Sequence, residues 1–261
     1  MKKNLILIIT AIFLASCVVF IPMRGSGDYV RVPVLLYHNL AADDDGLNPL
    51  LHITPPMFKE HMQTLKDAGY ETIFLDEYYE YIKNRRTLPS KPIIITFDDG
   101  YVSNYSYAYP ILRSLGMKAT IFIVTSTVGV NTNVSYPHFT WIQAREMQKS
   151  GVIDIQSHSH THPEMSLLSV PEMIREVRMS RYLIEKNLGK KCLYFAYPFG
   201  FYKEEALRFA AEAGYLMQFG IGEDADNTEH MINRIIVPGD IDGQGLLELI
   251  DKESVESEVE G

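Results

Sequence analysis

The chain is poor in cysteine, with two in 261 residues. Cys17 lies in the apolar N-terminal stretch and leaves Cys192 alone in the remainder, so no disulfide framework is available. Cys192 sits in the apolar run Cys192-Leu193-Tyr194-Phe195 and reads as a buried core thiol. Basic residues are also in deficit, 24 Lys and Arg against 33 Asp and Glu, for a net charge of −9. Phosphate contacts need the opposite balance, which excludes nucleic acid as a partner and suits a neutral or cationic ligand. There is no internal repeat. An apolar fraction of 46% excludes global disorder and is ample for one large buried core.

The N-terminus carries a basic pair, Lys2 and Lys3, followed by an apolar stretch from Leu5 to Leu14. The tetrapeptide Leu14-Ala15-Ser16-Cys17 resembles the lipobox of bacterial lipoproteins, which implies cleavage before Cys17 and lipidation of its thiol. An uncleaved anchor is the competing reading, because apolar residues continue through Val18, Val19, Phe20 and Ile21 for a length that could span a bilayer. Either way the rest of the chain is expected outside the cytoplasmic membrane, attached to it. The expected division is a leader or anchor over 1–22, a linker over 23–29, one globular domain over 30–250, and a disordered acidic tail over 251–261.

Within 30–250, short apolar runs alternate with helical patterns. Val32 to Tyr37 reads as a buried strand, Thr54 as the start of a helix with Pro55 in its first turn, and Thr72 to Leu75 as a strand before a helix capped by Asp76. Ile93-Ile94-Ile95-Thr96-Phe97 is β-branched without alternation, the pattern of strands covered on both faces in parallel sheets. Further strands are expected at 119–124, 152–156, 193–196, 215–219 and 235–237. Helices are expected at 109–115, 140–149, 171–187 and 204–213, with another after Gly243. Such alternation predicts an α/β fold, a single domain with parallel strands able to close into a barrel. The polar clusters fall at the C-terminal ends of the strands, where parallel barrels place their chemistry.

Two clusters carry that chemistry. Asp98-Asp99-Gly100 puts two acids at the end of a buried strand, pointing to different sides, with a glycine to allow a tight turn. One can hold a cation while the other accepts a proton; as a bare sequence, the tripeptide is also a common turn. The second cluster gathers three of the eight histidines into His158-Ser159-His160-Thr161-His162. On a helical turn His158 and His162 share a face, giving a two-histidine, one-carboxylate site; on an extended backbone all three would line up. A hydrogen-bonded bystander among the three is the remaining alternative, and His160 is the candidate for it.

Thr96-Phe97-Asp98-Asp99-Gly100 resembles the first signature of the polysaccharide deacetylases, carbohydrate esterase family four, and His158 to His162 is similar to their second. The resemblance covers Pro33 to about Val237. It implies a distorted (β/α)7 barrel and one divalent ion, zinc with cobalt, nickel or manganese as substitutes, held by Asp99, His158 and His162. It also implies Asp98 as the base acting on a water held by that ion, and a main-chain N–H at Phe199 facing the oxyanion. The reaction so implied is removal of N-acetyl groups from an N-acetylglucosamine-containing cell-envelope polysaccharide, either an exopolysaccharide or peptidoglycan, by a monomer. O-deacetylation of a xylan-like polymer and a non-catalytic carbohydrate-binding lipoprotein are the alternatives.

Two positions depart from the family pattern. Where the third signature commonly has an arginine beside the base, this chain has Ala196, and Arg234 is the expected substitute. The usual C-terminal Leu-x-His is missing, but Leu36-Tyr37-His38 stands at the start, as in the circularly permuted poly-N-acetylglucosamine deacetylases. If closure sets the first strand beside the last, His38 can serve as general acid. Tyr101, Trp141, Tyr197 and Pro198 are the residues expected to contact substrate, with Trp141 as an apolar wall.

Overall fold

A computed structural model describes residues 31–41, 48–131, 136–221 and 230–259. The leader, Cys17, the linker and the Asp43-Asp44-Asp45-Gly46 loop therefore lie outside the described residues. No helix among the described residues is long and apolar enough to cross a membrane.

The strands are β1 (Val34–Tyr37), β2 (Asn39–Leu40), β3 (His52–Ile53), β4 (Glu71–Thr72), β5 (Pro92–Phe97), β6 (Ala119–Ile123), β7 (Ile153–Ser157), β8 (Tyr194–Ala196), β9 (Met217–Ile221) and β10 (Met231–Ile236). Seven of them form a closed parallel ring in the order β1-β10-β9-β8-β7-β6-β5. Closure rests on β1, whose Leu35 pairs with Ile235 on one side and Ile95 on the other. The expected single-domain (β/α)7 barrel is what forms.

Side-chain alternation divides the core in two. Val34, Ile94, Phe122, Tyr194, Met217, Phe219 and Ile232 fill the barrel interior, together with Leu75 and Tyr78. The other parity, Leu35, Ile93, Ile95, Phe97, Ile121, Ile123, Ile155 and Phe195, packs against the outer helices. Those helices are α1 (Pro55–Asp67), α2 (Leu75–Asn84), α3 (Tyr109–Leu115), α4 (Trp141–Lys149), α5 (Val170–Leu188), α6 (Glu204–Glu212) and α7 (Gly243–Val259). With both faces of β5 buried, its unalternating Ile-Ile-Ile sequence is explained. Continuing the inward parity past each strand end brings His38, Asp98 and His158 to one mouth, and the same parity places Arg234 on the inner face of β10.

Three expectations change. The run Thr72 to Leu75 is strand only at β4; α2 begins at Leu75 because Glu77 reaches back to accept from the Phe74 N–H, leaving Asp76 inside the first turn rather than capping it. Chain continues helical into the acidic segment expected to be disordered, since α7 runs to Val259. Leu246 and Ile250 bury one face of it, and the Glu-rich sequence beyond favours helix. The last strand begins at Met231, earlier than the apolar run at 235–237 suggested.

The turn after β10 is held against β3: Gly239 N–H donates to Pro49 O, and a Cβ on Gly239 would collide with the His52 main-chain oxygen. Gly239→Ala is therefore expected to destabilise the fold by about 1–3 kcal/mol. An unchanged midpoint in urea denaturation would show that this turn is free to move.

Candidate active site

Asp98 follows β5, and its N–H extends the pairing by donating to Tyr37 O. The chain then turns sharply. Asp99 and Gly100 both take left-handed backbone angles, φ 70° and 84°, and a side chain on Gly100 would press on Ile123. The turn sends the two carboxylates to different partners, as the sequence suggested.

Asp98 faces Arg234. Nη1 donates to Oδ1 and Nη2 to Oδ2, each at 2.7 Å, a two-pronged pair with side-chain exposures of 0% and 3%. The guanidinium also lies over the Phe122 ring, 5.3 Å from its centroid. Burial pushes the Asp98 carboxyl up, but the positive fields of Arg234, His158 and His38 outweigh burial and hold it well below the usual carboxylate range. Arg234 thus reaches Asp98 from β10, while the Ala196 position offers it no cation.

The histidine pair is neither on a helical turn nor extended. Ser159 and His162 adopt φ 69° and 61°, left-handed conformations that cost a non-glycine residue on the order of 1 kcal/mol each. Buried Glu176 of α5 offsets this by accepting from His160 N–H, Thr161 N–H and Thr161 Oγ1, while Ser159 Oγ accepts from His162 N–H. The bend brings the His158 and His162 rings together, centroids 4.9 Å apart. His160 bonds Thr125 Oγ1 through Nδ1 and stays out of the cluster.

Asp99, His158 and His162 converge so that one ligand atom from each lies within 4.8 Å of the others. Asp99 Oδ1 is 3.7 Å from His158 Nε2 and 3.4 Å from His162 Nε2. A tetrahedral zinc ion with bonds of about 2.1 Å separates its ligands by about 3.4 Å, so the trio fits one ion. His158 Nδ1 bonds Ala196 O at 2.9 Å, which fixes the tautomer and leaves Nε2 free to ligate. Asp98 Oδ2 is 3.5 Å from the same Nε2, so base candidate and ligand cluster adjoin.

Around this centre the expected residues divide. His38 is half-buried and feels the charges of Asp98, Asp99 and Arg234; burial lowers its pKa, against the two carboxylates that raise it. Tyr101 lies in the field of Asp99, and its hydroxyl pKa is raised by burial and by that carboxylate. Phe199 takes a left-handed conformation, φ 60°, with its half-exposed ring edge-on to His162 at 4.6 Å. Trp141 opens α4, partly buried against the outer core. Tyr197 and Pro198 do not offer a surface to substrate: both are buried, and the Tyr197 hydroxyl bonds Gln218.

Sequence reading missed His138, His52, Glu176 and Asn104. His138 packs on Tyr101, centroids 5.0 Å apart, and lies within the field of Asp99 and His162. His52 packs on Tyr136 and feels His38. His52 opens the short strand β3 and His138 lies in the segment before α4, and no motif records the approach of either to the site.

Residues 85–218 match the profile of the polysaccharide deacetylase family, and the chain belongs to that family. It is similar to the Bacillus subtilis protein YxkH, named for a polysaccharide deacetylase, with 34% identity over 187 residues covering 72% of this chain and 63% of that protein. A poly-β-1,6-N-acetyl-D-glucosamine N-deacetylase of Staphylococcus aureus is 27% identical over 199 residues, 72% of this chain and 68% of its own. Among solved structures, the Streptococcus pyogenes deacetylase PplD in complex with acetate superposes with a TM-score of 0.77 at 28% identity, covering 85% of this chain and 98% of that one.

Two outcomes follow from the geometry. Calorimetric titration of zinc into metal-free protein should give one site per chain. Asp99→Ala, His158→Ala or His162→Ala should each weaken it more than about a hundredfold, while His160→Ala leaves it near the parent value; tight binding by His162→Ala would dismiss the trio. Arg234→Leu should destabilise the fold by about 3–5 kcal/mol by stranding a buried carboxylate, and adding Asp98→Asn should recover part of that. Urea denaturation of both variants measures the pair, and simple additivity would deny the coupling.

Proposed function

We propose that this chain hydrolyses the acetamide of N-acetylglucosamine units in a cell-envelope polysaccharide, with one divalent ion, zinc first among them, held by Asp99, His158 and His162. The observation that carries the reading is the buried, Arg234-clamped Asp98 carboxylate 3.5 Å from the ligating edge of His158. The ion, when bound, polarises the acetyl carbonyl and acidifies a water beside it.

The chain's own residues supply the rest. Asp98, kept ionised by Arg234, takes the proton of the attacking water. Arg234 also fixes both carboxylate oxygens, so the base is oriented before substrate arrives. The left-handed turn at Phe199 offers a main-chain N–H to the oxyanion of the tetrahedral intermediate. Breaking the C–N bond releases an amine that needs a proton, and His38, across the barrel seam from Arg234, is assigned to give it. Tyr101, in the field of Asp99, and Trp141 are assigned to the acyl side of the pocket.

The Staphylococcus aureus relative, by its name, acts on poly-β-1,6-N-acetyl-D-glucosamine, which favours a β-1,6-linked polymer over peptidoglycan. The N-terminal Leu14-Ala15-Ser16-Cys17 supports an extracytoplasmic, membrane-tethered protein lipidated on Cys17.

Acetate release should be measured on β-1,6- and β-1,4-linked N-acetylglucosamine oligomers, peptidoglycan and acetylated xylan, with zinc present. The β-1,6 oligomer is expected to be turned over best, and Asp98→Asn to lower kcat by about 10² to 10⁴. Release from xylan alone would replace the amide reading with ester hydrolysis. No release from any polymer would leave a binding protein.

A further inference from the structure

We infer that Asn104 is a positioning residue, which holds the His38 main chain and through it sets the place of the His38 ring at the barrel mouth. The inference rests on the assignment of His38 as proton donor to the leaving amine.

His38 occupies the gap between β1 and β2, where no strand pairing fixes it. Its ring offers no hold either, because Nδ1 is buried without a hydrogen-bond partner. The main chain must therefore set the ring's place, and Asn104 grips it: Nδ2 donates to His38 O at 2.8 Å. Asn104 is fully buried, and the opposite amide orientation would set two oxygens against each other. Ser103 completes the grip. Its Oγ donates to Asn39 Oδ1 at 2.7 Å and accepts from Leu40 N–H at 3.1 Å. One residue earlier, Tyr37 O accepts from Asp98 N–H.

The segment that carries the acid, 37–40, is thus bonded along its length to the segment that carries the base and a metal ligand, 98–104. A local backbone irregularity makes this reach available. Residues Asn104–Ala108 form a π-turn, in which Tyr109 N–H donates to Asn104 O. Such single wide turns inside α-helices recur at functional sites. Here Asn104 stands at the opening of the turn with its amide directed at the neighbouring strand end. The Asn104 Oδ1 atom is buried without a protein donor, so the residue carries a desolvation cost of the order of 1–3 kcal/mol that packing alone would not select.

The test is a double-mutant cycle on Asn104 and His38, read on two substrates. Asn104→Leu removes the amide at similar volume, and Asn104→Ser serves if the leucine variant does not fold. On a β-1,6-linked N-acetylglucosamine oligomer, the Asn104 variant should lose about tenfold to a hundredfold in kcat with KM little changed, the scale of a misplaced catalytic group. Zinc content should remain one per chain. In the His38→Ala background the same substitution should have no further effect. On 4-nitrophenyl acetate, whose phenolate departs without a proton, both single variants should stay within about twofold of the parent.

Additive losses in the cycle, or an equal loss on amide and ester, would overturn the positioning role. If His38→Ala itself leaves amide turnover intact, the acid assignment fails and this inference with it. If His38→Ala shows the amide-selective loss and Asn104→Leu does not, the inference alone fails.

Discussion

The site depends on one buried ion pair, Asp98 with Arg234. Taking two charges into a barrel interior costs several kcal/mol per ion unless each is fully bonded, and here both carboxylate oxygens have their own guanidinium nitrogen. The pair therefore does more for order than for stability. It ties the end of β5 to β10 on the far side of β1 and fixes which way the base points. It also keeps Asp98 charged in surroundings whose burial would otherwise favour the acid form. The Asp99 turn, the bend at His158 to His162 and the placement of His38 are all built around a base that cannot swing.

Much of this was legible in the sequence for a definite reason: parallel barrels write themselves in runs of fixed length and parity. Ile93-Ile94-Ile95 could only be covered on both sides, and Asp98 inherits its inward direction from Ile94 and Thr96. Arg234 was reachable by noting that Ala196 leaves the family's cation missing and that an arginine stands beside the last apolar run. His38 followed from closure, because β1 lies between β5 and β10.

What stayed hidden is tertiary. The histidine cluster reads as helix or strand when only spacing is considered. Its actual bend is imposed by Glu176, which lies beyond it on α5 and satisfies three donors of the turn. Tyr197 looked like a sugar platform because aromatics near such sites often are. Inside the fold its ring packs on Phe195 and Tyr202, and the open face passes to Phe199 and Tyr101. The start of α2 turned on one glutamate reaching back to Phe74, and the reach of α7 on an apolar face that charge counting overlooked.

The direction of β1 has a consequence for orientation. All ring strands run the same way, so the chain enters the barrel at the end opposite the cluster of carboxylates and histidines. Under the proposed tethering, an attachment upstream of residue 31 would pull on that far end. A tethered molecule would therefore stand with its floor toward the anchoring surface and its mouth outward, about 13 Å further along for a four-residue strand. If the proposed tethering holds, a polymer would be met at the outward mouth, without the molecule having to turn over.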